Sequence, residues 1–501
     1  MIRLDAETVQ SVLKGVKMTE KRLIDLGKYA PSIEAFFTGK LYPLIPAALS
    51  LLGHISGLEF YLNFINILLF AFGTLATASA KPFIAIFLTY TYQISLKNTP
   101  SFPVHSGYYL EGARPYLIAL CFVVGVGSFV FSLFYRGVIN RESLKALPMK
   151  ASSISLAAAF LLGGAFSSDY TVASTLYGAA QILGFFIVFY LMYLAFRREN
   201  ADGLVDHVLY VSLLVSIILI AETAHLYLTS DNLIVDGSVV KDNVLYGWGI
   251  WNNAGQKLTI LIPVLFIGVI RGGKSWWVYF TAATFSFIAA VFTLSRTALI
   301  FATLAYVTSV IIAATVGKRK RLFRIITLAG VAAALLFVIV FREKLMSVLS
   351  DYLERGLDDN GRYALWKYGI DSFLDSPVFG KGFFGLHTDT FISIDFIPQM
   401  MHNTPIQLLA SMGIVGTATY IWHRVQTVRE FFSAPSLEKT MIGIACLTML
   451  LGSFLENFVF YVEPMFYFST LLALVFRMNS KEKADATPEN PVSDAESAGD
   501  N

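Results

Sequence analysis

Residues 204–227 read LVDHVLYVSLLVSIILIAETAHLY, a stretch apolar and long enough to cross a bilayer as one helix. Such a helix needs roughly 20 largely apolar residues, and the same test along the chain predicts roughly fourteen spans. Their approximate limits are 41–57, 59–79, 82–96, 114–135, 151–167, 174–196, 204–227, 255–270, 275–294, 297–316, 323–341, 405–425, 438–455 and 458–476. The third and fifth are short, so twelve spans is an open alternative.

Composition supports the same class of protein. Hydrophobic residues make up 55% of the 501 residues and charged residues 15%, with a mean hydropathy of +0.62. Soluble domains carry about 25% charged residues. We therefore predict an all-α, polytopic integral membrane protein with about 12–14 transmembrane helices. The net charge of +3 comes from 38 basic and 35 acidic residues, so it does not indicate nucleic acid as a partner.

Basic residues orient the spans, because short cytoplasmic loops are enriched in Lys and Arg. If fourteen spans alternate and both termini are cytoplasmic, every basic cluster falls on one side. These clusters lie within 136–150, 197–198, 271–274, 318–321, 424–439 and 477–483. The other, extracytoplasmic side then carries one long polar loop, 342–404, and the short turns at Ser295–Arg296 and Glu456–Asn457. An arginine in such a turn indicates a function, although a side chain that snorkels from a helix end is the alternative.

The chain divides into four parts. Residues 1–40 lack the apolar core of a signal peptide, and we expect a cytoplasmic segment that forms an amphipathic or a solvated helix. Residues 41–219 hold the N-terminal transmembrane helices. Residues 220–476 hold the other spans, the loop 342–404 and the polar motifs. Residues 477–501 have the composition of a disordered cytoplasmic tail.

Two segments of the long loop carry the candidate site residues. Arg362 begins a predicted amphipathic helix that runs to Leu374, with Trp366 among the apolar side chains available to pack on the membrane domain. His402 and Asn403 directly precede a span in which Pro405 suits the first helical turn and Asn403 or Thr404 the N-cap. Basic groups and one imidazole at a membrane surface are suited to a substrate with a lipid diphosphate.

Carboxylates provide a second set of candidates. Glu222 lies near the extracytoplasmic end of its span, where an ionisable group indicates function by default. A structural pair with His225 is the alternative. In the loop, Asp358 and Asp359 precede Asn360 and Gly361, a run that is more simply a turn than a metal site. We therefore expect no metal.

Three motifs jointly resemble those of the O-antigen ligase and polysaccharide polymerase superfamily. They are TLSRTALI at 293–300, GRYALWKYGIDSFLDSPVFGKG at 361–382 and HNTPIQLLASMGIVG at 402–416. A weaker fourth match is YGWGIWNNAGQKLTILIPVL at 246–265. The resemblance covers roughly residues 220–475, the catalytic region of such a protein, and it implies a membrane glycosyltransferase of the GT-C-like architecture.

The resemblance also implies roles. Arg296 and Arg362 match the arginines that hold the diphosphate of an undecaprenyl-diphosphate-linked glycan donor, and His402 matches the histidine that activates the acceptor hydroxyl. We add Asn403, Glu222 and Trp366 as substrate-binding residues. The implied reaction is transfer with inversion, without metal or cofactor, on the extracytoplasmic face of the bacterial plasma (inner) membrane. Implied partners are the lipid bilayer, a glycan, lipid or polymer acceptor, a flippase and a chain-length regulator.

Two other functions stay open. The chain could be a lipid-linked glycan flippase or another multispan transporter, although transporters place charged or broken segments near the membrane midplane. The second open function is a non-catalytic scaffold for polysaccharide export. Within the enzyme interpretation the motifs do not separate a polymerase from a ligase. Length and the N-terminal segment favour a polymerase slightly.

Overall fold

A computed structural model describes most of the membrane domain. The described residues are 29–85 except 57 and 78, 114–229, four strand segments between 234 and 250, 251–340 with 342, 361–386, and 400–485 except 434. The expected helix within 1–28, most of the span 82–96, much of the loop 342–404 and the tail from 486 on lie outside them.

The chain folds as a succession of helices. The first group is α1 Ala30–Thr38, α2 Leu41–Ser56, α3 Glu59–Ala76, α4 Arg114–Tyr135, α5 Arg141–Lys145, α6 Lys150–Leu162, α7 Val172–Ile182, α8 Val188–Phe196 and α9 Ala201–Thr229. The second group is α10 Trp251–Arg271, α11 Trp276–Phe292, α12 Arg296–Thr315, α13 Lys320–Val340, α14 Arg362–Asp375, α15 Thr404–Phe432, α16 Leu437–Gly452 and α17 Val462–Asp485. A π-helical turn, Leu183–Ile187, joins α7 to α8, and a 3-10 turn, Phe458–Phe460, precedes α17.

Two minimal antiparallel hairpins lie between α9 and α10. Strand β1 (Ile234–Val235) pairs with β2 (Ser238–Val239), and β3 (Leu245–Tyr246) pairs with β4 (Gly249–Ile250). With two residues in each strand, they leave the fold class all-α.

The predicted spans overlap these helices, apart from 82–96, which is largely undescribed. Within the described residues, five helices are long and apolar enough to cross a membrane, or six if the bent pair α1–α2 is one span. Other apolar helices are shorter, α11 being an example. The prediction of an all-α polytopic membrane protein is confirmed, whereas the count of twelve or fourteen spans stays a prediction.

Helices α10 and α13 show how residues sort between core and lipid. Consecutive residues of α10, from Ile260 to Ile262, are buried, which is typical of a helix enclosed on all sides. Along α13, by contrast, Leu328, Leu336 and Ile339 are exposed although they are apolar. A surface of this kind is stable only against lipid or another apolar partner.

Helix α15 is broken at Gly413, whose φ of 63° and ψ of −161° are not helical. The segment 377–382, which follows α14, fills the break. Its backbone N–H groups at Lys381 and Gly382 donate to the carbonyls of Ala410 and Ser411 at 2.8 and 3.0 Å, respectively. Beyond the break, the N–H of Ile414 donates to the carbonyl of Pro377 at 2.9 Å. The loop thus satisfies backbone groups that a bilayer could not.

Several basic clusters meet at one end of the bundle, which we call the basic end. There Arg271 pairs with Glu438 at 2.5 Å and also with Asp206, and Lys481 pairs with Asp202 at 2.7 Å. These contacts join α9, α10, α16 and α17, in agreement with the grouping of their basic residues on one side.

The sequence pattern placed Arg424 in a basic cluster of a cytoplasmic loop, at 424–439. That placement is wrong, because Arg424 does not lie at the basic end. It is 8% exposed inside α15. Its guanidinium lies 5.0 Å from the ring centroids of Tyr420 and Phe468 and 5.1 Å from that of Phe185. Cation–π attraction stabilises a cation among such rings. The apolar pattern does not indicate which way a basic side chain near a helix end is turned.

Helix α17 continues to Asp485, past the start of the expected tail at 477. Its last turns are held by polar contacts to the rest of the bundle, because Arg477 donates to the carbonyl of Glu199 at 2.8 Å and Asn479 donates to that of Glu430 at 3.0 Å. The composition of 477–501 gave no sign of these partners.

Candidate active site

A buried carboxylate, Glu456, lies at the centre of the polar cluster at the other end of the bundle. It is 1% exposed. Its Oε1 accepts from Nη2 of Arg362 at 2.6 Å and from Nδ2 of Asn252 at 2.7 Å. Its Oε2 faces Nδ1 of His402 at 2.6 Å. Three segments distant in sequence therefore meet on one side chain.

The turn that carries Glu456 is fixed to the start of α15. The backbone N–H of Thr404 donates to the carbonyl of Ser453, and Nδ2 of Asn403 donates to that of Phe454, both at 2.9 Å. Nδ2 of Asn457 donates to Oε1 of Gln407 at 3.0 Å. These bonds hold Glu456 in register with His402.

Arg362 is the first residue of α14, directly after Gly361, whose φ is 74°. In addition to its bond to Glu456, its Nη1 donates to the carbonyl of Leu455 at 3.1 Å. Its side chain is 25% exposed, so the guanidinium keeps access to a ligand. The ion pair connects the loop helix to the membrane domain.

The face of α14 that packs on the bundle is narrower than its apolar pattern indicated. Leu365, Gly369 and Ser372 are buried. Tyr363 and Leu374, two of the apolar side chains of this helix, are exposed. The small residues allow close approach, since a Cβ at Gly369 would lie 2.5 Å from Ile406 of α15.

His402 is held in a strained conformation. Its φ of 48° is one that residues other than glycine adopt rarely. Beside it, Nε1 of Trp366 donates to the carbonyl of Met401 at 2.9 Å, and the N–H of Met401 donates to Oε1 of Gln407 at 2.8 Å. Strain of this kind persists only where surrounding contacts impose it, and such positions cluster at functional sites.

The partner of its Nδ1 determines the chemistry of the imidazole. A carboxylate only accepts hydrogen bonds, so Nδ1 carries the hydrogen that binds Glu456. In the neutral ring, Nε2 then has the lone pair and can accept a proton. The side chain is 33% exposed, so a substrate can reach it.

Asn403 and Trp366 have structural contacts as well as a place at the site. Oδ1 of Asn403 accepts from the N–H of Ile406 at 3.0 Å, which is the N-cap bond expected from the sequence. Trp366 supports the residue before His402. Asn403 and Trp366 thus hold the segment around His402 in place. That either residue also contacts the substrate stays a prediction.

Arg296 and Glu222 lie at the same end of the bundle. Ser295 caps α12 by accepting from the N–H of Ala298 at 3.3 Å, and Arg296 follows it, half-buried. A Cβ at Gly255 of α10 would lie 2.4 Å from the Cβ of Ala298. The start of α12 therefore packs closely on α10 at Gly255, which is three residues after Asn252 in the sequence. Glu222 is buried in α9, two turns before the end of that helix.

Sequence reasoning missed Glu456 and Asn252 as site residues. Glu456 was assigned to a turn on the same side as Arg362 and His402, yet nothing in that turn distinguishes a ligand of arginine and histidine from an ordinary polar residue. Asn252 lies within the weaker motif 246–265.

Within the described part of the chain, no three His, Cys, Asp or Glu side chains form a group that could hold a metal ion.

A comparison with known proteins supports the resemblance to this family. Residues 280–421 match the family model of the O-antigen ligases, a segment that includes Arg296, Arg362, His402 and Asn403. This match confirms the resemblance to the O-antigen ligase superfamily over those residues. A comparison with curated proteins gives no significant match.

The O-antigen ligase domain supports a glycosyl-transfer enzyme in the membrane, and its family implies a lipid-linked glycan donor and a polysaccharide acceptor. Asn252 and Glu456 fall on either side of the matched segment. The polar cluster is therefore completed by two residues from outside the matched segment.

Proposed function

We propose that this O-antigen ligase-type protein transfers a glycan from undecaprenyl diphosphate to an acceptor hydroxyl, on the extracytoplasmic face of the bacterial plasma membrane. The observation that carries the proposal is the contact of 2.6 Å between Nδ1 of His402 and Glu456, beside the Arg362–Glu456 ion pair. A proton acceptor and a cation that can hold a diphosphate thus lie on two sides of one buried carboxylate.

The reaction would proceed as a displacement at the anomeric carbon. Nε2 of His402 takes the proton of the acceptor hydroxyl while its oxygen attacks that carbon. The bond from this carbon to the diphosphate oxygen breaks, and its electron pair stays on the diphosphate. Arg362 and Arg296 stabilise that growing charge, since guanidinium groups bind phosphate oxygens as a fork. Attack from the opposite face inverts the anomeric configuration, and no step requires a metal.

The transporter alternative has one observation in its favour, the break in α15 at Gly413. Transporters use broken helices to leave backbone groups available to substrates and ions. Here the groups beside the break bond instead to the segment 377–382. The break is therefore better explained as the place where the loop packs into α15 than as a transport site.

Transfer in detergent tests the proposal. Purified protein with an undecaprenyl-diphosphate-linked glycan and an acceptor should form product with EDTA present, because neither a metal nor a sealed compartment takes part. Arg362→Lys should lose nearly as much activity as Arg362→Ala, since an ammonium cannot reproduce the fork. Lys367→Ala, on the exposed side of the same helix, is the control and should keep wild-type activity. Loss of activity on chelation, with rescue by a divalent ion, would contradict the proposal.

Thiol labelling tests the side of the membrane. Cysteines introduced at Lys367 in α14 and at Lys320 at the start of α13 should react with an impermeant reagent from opposite sides, the former from outside. Both natural cysteines, Cys121 and Cys446, are buried, so background labelling should be low. Labelling of both positions from the same side would place the candidate site on the wrong face for a donor presented outside.

A further inference from the structure

Glu456 is shared between the two groups to which the proposed function gives opposite tasks. One oxygen binds Arg362 and the other binds His402, each at 2.6 Å. The carboxylate itself is 1% exposed, whereas the side chains of Arg362 and His402 are 25% and 33% exposed. A substrate can therefore reach the arginine and the histidine but not the carboxylate. Any effect of Glu456 on the reaction passes through those two residues.

The guanidinium of Arg362 is turned toward the Glu456 turn. Nη2 binds the carboxylate and Nη1 binds the carbonyl of Leu455 at 3.1 Å. These are the two terminal nitrogens, which form one edge of the fork with which an arginine grips phosphate. A diphosphate that binds through this edge must compete with Glu456 for it. The diphosphate has the advantage of greater negative charge.

The consequence of that competition follows from burial. Charges interact more strongly in a poorly solvated site than in water. While Arg362 is paired with Glu456, its positive charge opposes any positive charge on His402. Once Arg362 has turned to a diphosphate, the described residues leave the side chain of Glu456 two neutral donors, His402 and Asn252. An imidazolium that forms beside it is then stabilised by the full carboxylate charge.

We infer that Glu456 couples donor binding to the proton-accepting step. The diphosphate draws Arg362 away from Oε1, and the released charge of Glu456 stabilises the proton that Nε2 of His402 takes from the acceptor hydroxyl. Asn252 stays on Oε1 and keeps the carboxylate in place when the arginine leaves. Glu456 is thus a positioning residue that makes activation of the acceptor conditional on a loaded donor.

This inference rests on the proposed function, and it orders the reaction. The proton moves from the acceptor oxygen to Nε2, the new glycosidic bond forms, and the electron pair of the old bond leaves with the diphosphate. Before the donor binds, Glu456 is paired with Arg362 and stabilises a proton on His402 less strongly. The site is then protected from unproductive proton transfer.

Histidine side-chain NMR on the full-length protein in nanodiscs tests the coupling. The chain has 7 histidines, so imidazole ¹⁵N spectra can be assigned with His402→Asn. Undecaprenyl diphosphate should shift the His402 signals in the wild type and leave them unchanged in Glu456→Gln. Glu142→Gln, an exposed carboxylate paired with Lys145, is the matched control and should respond as the wild type does.

Binding and kinetics separate coupling from a merely structural role. With its competitor removed, Glu456→Gln should bind undecaprenyl diphosphate as tightly as the wild type or more tightly, while kcat falls by about 10²-fold or more. A structural role would instead weaken donor binding and kcat together. That result would overturn the inference.

The wild-type measurements also distinguish the two levels of failure. If undecaprenyl diphosphate binds in an Arg362-dependent way but the His402 signals stay fixed, the coupling is overturned and the proposed function stands. If the lipid does not bind, or binds equally to Arg362→Ala, the proposed function itself fails. Neither outcome depends on the folding of Glu456→Gln.

Discussion

His402→Asn is expected to lower the rate of glycan transfer by roughly 10²–10⁴-fold, the usual contribution of a general base. The variant should still bind undecaprenyl diphosphate, because a base acts on the acceptor and not on the leaving group. Asparagine is the suitable replacement, since it tolerates the φ of 48° at this position better than most residues do. Initial rates with a lipid-linked donor, and separately measured lipid binding, give the two quantities.

Lys367→Ala is the control for this variant as well, because that lysine is exposed on α14 at the same end of the bundle. It should keep wild-type transfer. Near-normal transfer by His402→Asn would remove the central role from this residue. The other histidine of the loop 342–404, His387, lies outside the described residues and would then be the next base to test.

Gly413→Ala is expected to destabilise the protein strongly, although it adds only one methyl group. A Cβ would lie 2.4 Å from the backbone C and O atoms of Val378, which cannot move aside as a flexible side chain could. With a φ of 63° and a ψ of −161°, the backbone is in a region that glycine alone adopts readily, which adds roughly 1–3 kcal/mol for a residue with a Cβ. Overpacking adds about 1–3 kcal/mol. The midpoint of thermal unfolding in detergent should fall by several degrees, with loss of folded protein.

The matched control is Gly330→Ala in α13, where a new Cβ would meet nothing within 4 Å. Its unfolding midpoint should equal or exceed that of the wild type, because alanine favours a helix more than glycine does. A Gly413→Ala protein that unfolds at the wild-type temperature would show that the segment 377–382 does not press on α15 in solution.

The helices were predictable because membrane spans obey a simple length and polarity rule. The seventh predicted span, 204–227, lies inside α9, and the eighth, 255–270, lies inside α10. Each is a run of apolar residues bounded by polar ones. The rule has no information on packing, so it could not distinguish the enclosed α10 from the lipid-facing α13.

The site was predictable only in part. Arg362 and His402 belong to motifs with recognisable neighbours, and the structure brings them to a common partner. That partner, Glu456, follows His402 by a whole helical hairpin, and a single carboxylate in a short turn carries no local pattern. Pairing of this kind depends on how α15 and α16 pack. Likewise, the sequence located Gly413 in a span but not the break there, which depends on contacts with the segment that follows α14.

The way α15 is interrupted limits how this protein could be recombined with its relatives. The segment 377–382 and both halves of α15 share one network of backbone bonds, and the N–H of Gly164 joins it by donating to the carbonyl of Phe379 at 2.9 Å. Exchanging the loop alone would leave carbonyls and N–H groups of the host helix exposed to hydrocarbon. A graft that aims to alter acceptor choice has to carry the loop, α15 and the turn at Gly164 as one cassette.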